Sequence, residues 1–204
     1  MRHLFRGGTL PVVLAVVVGL STIGGAVAFD KKQALDNPAW GISAKTGNLV
    51  HKISRTAFPD TIGQFRLDGT HVHDNNGNNV SVDYVAGTGA EAVHATIFVN
   101  MGETRPIEQC FKVSTVGLSL RNGNTKPYKS ADIKLKTRNG RNMPGMAAAF
   151  KFPAKDGGES MDTRLYVFKT QDVLVKVQTA HSLNNPKGGA LIHKELLKLM
   201  SWPQ

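Results

Sequence analysis

Residues 62–100, IGQFRLDGTHVHDNNGNNVSVDYVAGTGAEAVHATIFVN, decide the fold. Strand-like apolar patterns occur in three pieces: Ile62 to His73 (Ile62, Phe65, Leu67, Val72), Asn79 to Ala86 (Val80, Val82, Tyr84) and Ala92 to Asn100 (Val93, Ala95, Ile97, Val99), the last two apolar at every second position. A two-residue period rich in β-branched residues is the mark of half-buried strands. Asp74-Asn75-Asn76-Gly77-Asn78 separates the first two and holds the Asn-Gly that favours a hairpin turn, and Gly87-Thr88-Gly89 separates the next two. The reading is an antiparallel meander.

Downstream the period changes. Thr104 and Pro106 suit a helix start, and Ile107, Cys110, Phe111 and Leu118 trace one side of a helix over about 105–119 that ends near Asn122-Gly123. Four further strands are expected at 128–138, 145–152, 161–170 and 172–181. A last helix over about 189–200 carries Leu191, Ile192, Leu196, Leu199 and Met200 on its apolar side. Upstream, Leu49, Val50, Ile53 and Ala57 predict a short helix over 46–56 that Phe58-Pro59 breaks. Residues 29–45 lack periodicity and read as an extended arm. The fold class is therefore α+β: an antiparallel sheet of about six to seven strands flanked by helices, sandwich-like, in one domain over 46–204.

Four segments carry a resemblance: Phe58 to Phe65 (FPDTIGQF), Val80 to Tyr84, Ala95 to Val99 and Val173 to Val177. They resemble strands of a family of uncharacterised secreted bacterial proteins, and the element order is similar to the α/β/α sandwich of the PsbP/Mog1-like superfamily. The resemblance implies a fold and a binding or assembly role, with no catalytic residue.

The N-terminus reads as a secretory signal peptide over residues 1–28. Arg2 and Arg6 precede an uncharged run from Leu10 to Ile23, and Ala26-Val27-Ala28 offers small residues for a cut after Ala28. The run is shorter than the ~18–20 residues of a spanning helix, so no membrane span is expected after cleavage. This predicts a periplasmic or secreted protein. The whole chain, 204 residues and 41% apolar, suits a globular domain, and its single Cys excludes a disulfide framework. Its net charge of +10 falls to +8 without Arg2 and Arg6, and all the excess lies in residues 101–204. Such asymmetry points to an anionic partner.

Candidate sites follow from residue chemistry. Between Arg121 and Arg141 seven cations face Asp132 alone, and Lys134, Lys136 and Arg138 alternate so as to share one strand face. Lys129, Lys134, Lys136, Arg138 and Arg141 are the expected contact for an anionic envelope component or an acidic protein. The plainer account is a solvated edge strand whose lysines block aggregation. Nucleic acid fits poorly, since Tyr128 is the sole aromatic in that stretch.

The alternative is a metal-binding protein or metal-dependent enzyme. His71 and His73 stand at i and i+2 and share a face, with His94 or Asp83 as a possible third ligand if the strand register allows it. Asp74 to Asn78 superficially echoes a calcium loop but lacks a Gly at position 6 and a Glu at position 12 of such a loop, and it reads as a hairpin turn. Gly87-Thr88-Gly89-Ala90-Glu91-Ala92 matches a dinucleotide fingerprint but precedes a strand, so no helix N-terminus is there to meet a phosphate. Cys110 reads as core. No G-x-S-x-G, S-x-x-K or H-E-x-x-H occurs. No cofactor is expected, and a non-catalytic module is the favoured reading.

Overall fold

Between Phe29 and Phe58, where an arm and a helix are expected, the chain forms a short helix and a small sheet. The computed structural model describes residues 29–136, 142–154, 158–170 and 172–197. The expected signal segment 1–28 lies outside them. Helix α1 (Lys31–Leu35) starts at Asp30, whose carboxylate accepts from the Lys32 N–H. Strands β1 (Trp40–Ile42), β2 (Leu49–His51) and β3 (Ala57–Phe58) then pair antiparallel. The expected helix over 46–56 fails for a backbone reason. Gly47 and Arg55 both have φ near +60°, and only a break in the helix accommodates left-handed residues. The apolar positions Leu49 and Phe58 are directly paired instead, and both are fully buried.

The main sheet has eight strands: β4 (Thr61–Ile62), β5 (Phe65–Val72), β6 (Asn79–Ala86), β7 (Val93–Met101), β8 (Lys129–Lys136), β9 (Asn142–Phe152), β10 (Met161–Lys169) and β11 (Val173–Ser182). The spatial order is β4-β5-β6-β7-β11-β10-β9-β8, and every neighbouring pair is antiparallel. The segment 62–73, expected as one strand, is divided by a two-residue turn at Gly63-Gln64, and β5 is offset between Leu67 and Gly69. Gly63 sits at φ +59, and a Cβ there would strike the Glu195 carboxylate.

The order explains the long helix. The chain leaves the middle of the sheet at β7, crosses to the far edge through α2 (Ile107–Arg121), and returns by three hairpins to set β11 beside β7. A crossover of that kind must lie over the strands it skips. Accordingly Cys110 and Leu118, with Ile107 and Phe111, pack on Phe150, Phe152, Leu165, Val167 and Leu174. The opposite, core face carries Val82, Tyr84, Ile97, Val175, Val177 and Phe168. It is covered by Trp40, Leu49 and Phe58 of the small sheet and by Ile192, Leu196 and Leu197 of the C-terminal helix.

That helix, α3 (Gly188–Leu191), continues as a wider π turn over Ile192–Leu196. Gly189 lies against the Arg164 guanidinium with no room for a Cβ. Helical elements do lie on both faces, but the core face is shared between the small sheet and the C-terminal helix, so the sandwich expectation holds only in part. Trp40, assigned to the arm, is 1% exposed and belongs to the same core as the main sheet.

Candidate functional site

Among the described residues strand β8 is the outer strand of the main sheet and pairs only with β9. Its register sets Lys129 opposite Ala149, Ser130 opposite Ala148, Lys134 opposite Pro144 and Lys136 opposite Asn142. Ala148 belongs to the cluster beneath α2, so Ser130, Asp132, Lys134 and Lys136 project on the α2 face. Lys129 projects on the core face with Ile133 and Leu135 and is separated from the other two lysines. Lys129, Lys134 and Lys136 are exposed, and none makes an ion pair among the described residues. Arg138 and Arg141 lie outside the described residues.

A shallow groove of about 550 Å³ runs where α2 begins, lined by Ile107, Glu108, Asp132, Lys134, Pro144 and Met146. Two carboxylates in that lining offset Lys134, so the groove itself is not a cation-only site.

The histidine pair occupies the same face at the other side of the sheet. Registers β5–β6, β6–β7 and β7–β11 place His71, Ser81, Phe98 and Lys176 in one row across four strands. His71 Nε2 is 3.0 Å from Asp83 Oδ2, and Thr96 donates its hydroxyl to Asp83 Oδ1 at 2.6 Å. His73 Nε2 meets Ser81 Oγ at 2.9 Å. The imidazoles stack at 6.2 Å between centroids, and His73 stacks in turn on Phe98 at 6.0 Å.

Each imidazole thus directs its Nε2 to a different protein partner. Of the two suggested third ligands, Asp83 is brought to His71. His94 is opposite Val85, four residues along β6 from Ser81, about 13 Å away at ~3.3 Å per residue. Among the described residues no three His, Cys, Asp or Glu side chains come together as a metal site. Burial holds the His73 imidazole below its ordinary value, with His71 and Lys176 adding to the effect.

Lys176 was not singled out by the residue patterns, although a lone cation between Val175 and Val177 on an apolar strand is a visible signal. Its Nζ lies 4.9 Å from the Phe98 centroid, and it makes no ion pair among the described residues. Burial lowers its pKa, and the nearby Arg121 charge lowers it further. Glu103 offsets this only in part, since it is bound to Arg105 at 2.8 Å from Nε and 2.5 Å from an Nη.

Two other groups are structural. Asp162 on the core face accepts from Tyr128 O–H at 3.1 Å and Arg164 Nε at 3.2 Å. Cys110 is 2% exposed, and burial pushes its thiol up, which disfavours a thiolate.

No family model and no curated protein matches the chain. Among solved structures it is similar to PA94, a Pseudomonas aeruginosa protein of unknown function, at 10% identity and a TM-score of 0.45. The similarity covers 72% of this chain and 91% of that one.

Proposed function

We propose that the chain is a non-catalytic binding or assembly module that works outside the cytosol and holds an anionic envelope component or acidic protein through its cationic second half. The observation that carries this reading is the pair Lys134 and Lys136. They project side by side from an edge strand into solvent, with no ion pair among the described residues. Like charges at i and i+2 on one face repel, and an anion that bridges them relieves the repulsion. The export part of the proposal rests on the sequence of residues 1–28 alone.

The test is binding to a soluble polyanion such as polyglutamate at rising salt. Lys134→Glu/Lys136→Glu is expected to weaken binding at least ten-fold, and wild-type affinity should fall as salt screens the charges. Affinity that ignores both the substitution and the salt would remove the reading.

A second reading, metal carriage through His71 and His73, is favoured by one observation: a carboxylate of Asp83 stands beside His71. Zinc titration of wild type against His71→Ala/His73→Ala decides it. Equal affinity excludes the pair as ligands.

A further inference from the structure

We propose that the outward side of α2 is a docking surface for an anionic lipid surface. This rests on the preceding reading and names its partner. The helix is apolar on two sides. One, with Ile107, Cys110, Phe111 and Leu118, is taken by the sheet. The other presents Val113, Val116 and Leu120 at three- and four-residue spacing, 51%, 48% and 64% exposed. Beside them Gly117 has nothing within 4 Å of where its Cβ would stand, and its carbonyl oxygen accepts from Arg121 Nε at 3.1 Å.

Cations bracket this ridge. Lys112 is exposed one turn from Val116, Arg121 is exposed at the C-terminal end, and Arg105 is exposed before the N-terminal end. Lys134 and Lys136 project on the same face of the sheet from the adjoining edge strand. Of the nearby acids, Glu103 neutralises Arg105, and Glu108 and Asp132 share the groove with Lys134, so the cationic excess around the ridge comes from Lys112, Arg121 and Lys136. Aliphatic side chains set among Lys and Arg are the composition of surfaces that sink into the headgroup layer of anionic bilayers.

A lipid surface fits better than an acidic protein for two reasons. The centre of the ridge holds only Val, Val and Leu, without the aromatic or Arg anchors on which protein interfaces concentrate their energy. The ridge also stands out from the sheet as the one long helix on this face among the described residues. A headgroup layer yields around such a ridge, whereas a protein would need a matching groove. At fifteen residues α2 is too short to cross a bilayer, and no helix among the described residues is long and apolar enough to do so. The contact is therefore superficial.

The experiment uses the protein as the cell processes it and phosphatidylcholine vesicles with and without phosphatidylglycerol. The variants are Val113→Ser/Val116→Ser/Leu120→Ser and a Leu120→Trp reporter, read against the parent protein's own tryptophans. Thermal melts establish that each variant is folded. The expected result is binding only to the anionic vesicles, a blue shift of the reporter on binding, and an affinity about 100-fold lower for the triple serine variant. Polyglutamate binding should be unchanged in that variant. Vesicle binding that ignores the serines, or a reporter that stays in water, overturns the lipid proposal. Binding to polyglutamate but not to vesicles overturns it too, while leaving the anionic-partner reading intact. Binding to neither probe overturns both.

Discussion

His51 donates from Nε2 to the carbonyl oxygen of Gly77 at 2.6 Å and so ties the small N-terminal sheet to the β5–β6 turn of the main sheet. A carbonyl only accepts, so Nε2 carries the proton. Nδ1 is then the acceptor for the Ser54 hydroxyl at 2.8 Å. The tautomer follows from the partners, and the buried ring is neutral.

Acid should therefore destabilise the fold. Burial holds His51, His73 and His181 below their ordinary value. In the unfolded chain each titrates near ~6.5. Below that pH the unfolded state binds protons that the native state refuses, so stability falls as pH falls from about 6.5 toward the folded values. Urea midpoints at pH 7.5 and 5.5 check the sign. An equal or higher midpoint at the lower pH contradicts it.

Glu195 anchors the C-terminal helix to the β4–β5 turn. Its carboxylate accepts from the Gln64 backbone N–H at 2.6 Å and from the Gln64 side-chain amide at 3.2 Å. Because the site is exposed, Glu195→Ala should cost only about 1 kcal/mol. Gly63→Ala should cost more, since φ is +59 and the new Cβ meets that carboxylate. Chemical denaturation ranks the two, and a milder effect for Gly63→Ala would refute the geometry.

Asp162 is 7% exposed and holds both Tyr128 and Arg164. Asp162→Ala leaves the half-buried guanidinium without its carboxylate, for a loss of about 2–3 kcal/mol after allowance for solvent at Arg164. Tyr128→Phe removes one hydrogen bond and should cost about 1 kcal/mol. In a double-mutant cycle the two losses should be less than additive.

Lys176→Met should raise stability. Burial and Arg121 both disfavour the ammonium at neutral pH, and the contact with Phe98, about 2 kcal/mol at a desolvated site, returns only part of the several kcal/mol that a buried charge without a counter-ion costs. A lower melting temperature in the variant would show that the cation is compensated after all.

Cys110 should be silent to thiol reagents in the folded protein. With 2% exposure and a thiol raised by burial, its labelling should wait for unfolding. Labelling in native buffer as fast as in urea would place it at the surface.

Several of these relationships join residues that no local pattern connects. The meander from Phe65 to Met101 was legible because β-branched residues alternate there and an Asn-Gly turn punctuates them. Helix α2 was legible from its start signals, and its bounds differ from expectation by two residues at each end. The small N-terminal sheet was not legible. Its strands are two or three residues long, too short to display a period, and Leu49, Val50 and Ile53 imitate a helix.

The chain's own order of residues determined an antiparallel α+β body, a cationic second half, and a histidine pair on one strand face. These depend on neighbours within a few positions and on simple charge. Only the tertiary structure decided that β11 returns to β7, that Lys129 parts from Lys134 and Lys136, and that His71 finds Asp83 while His94 stays away. It also decided which apolar side of α2 the sheet takes and which is left to solvent. Strand register and helix placement are settled by burial between segments far apart in the chain, and a local pattern carries no record of which distant segment arrives.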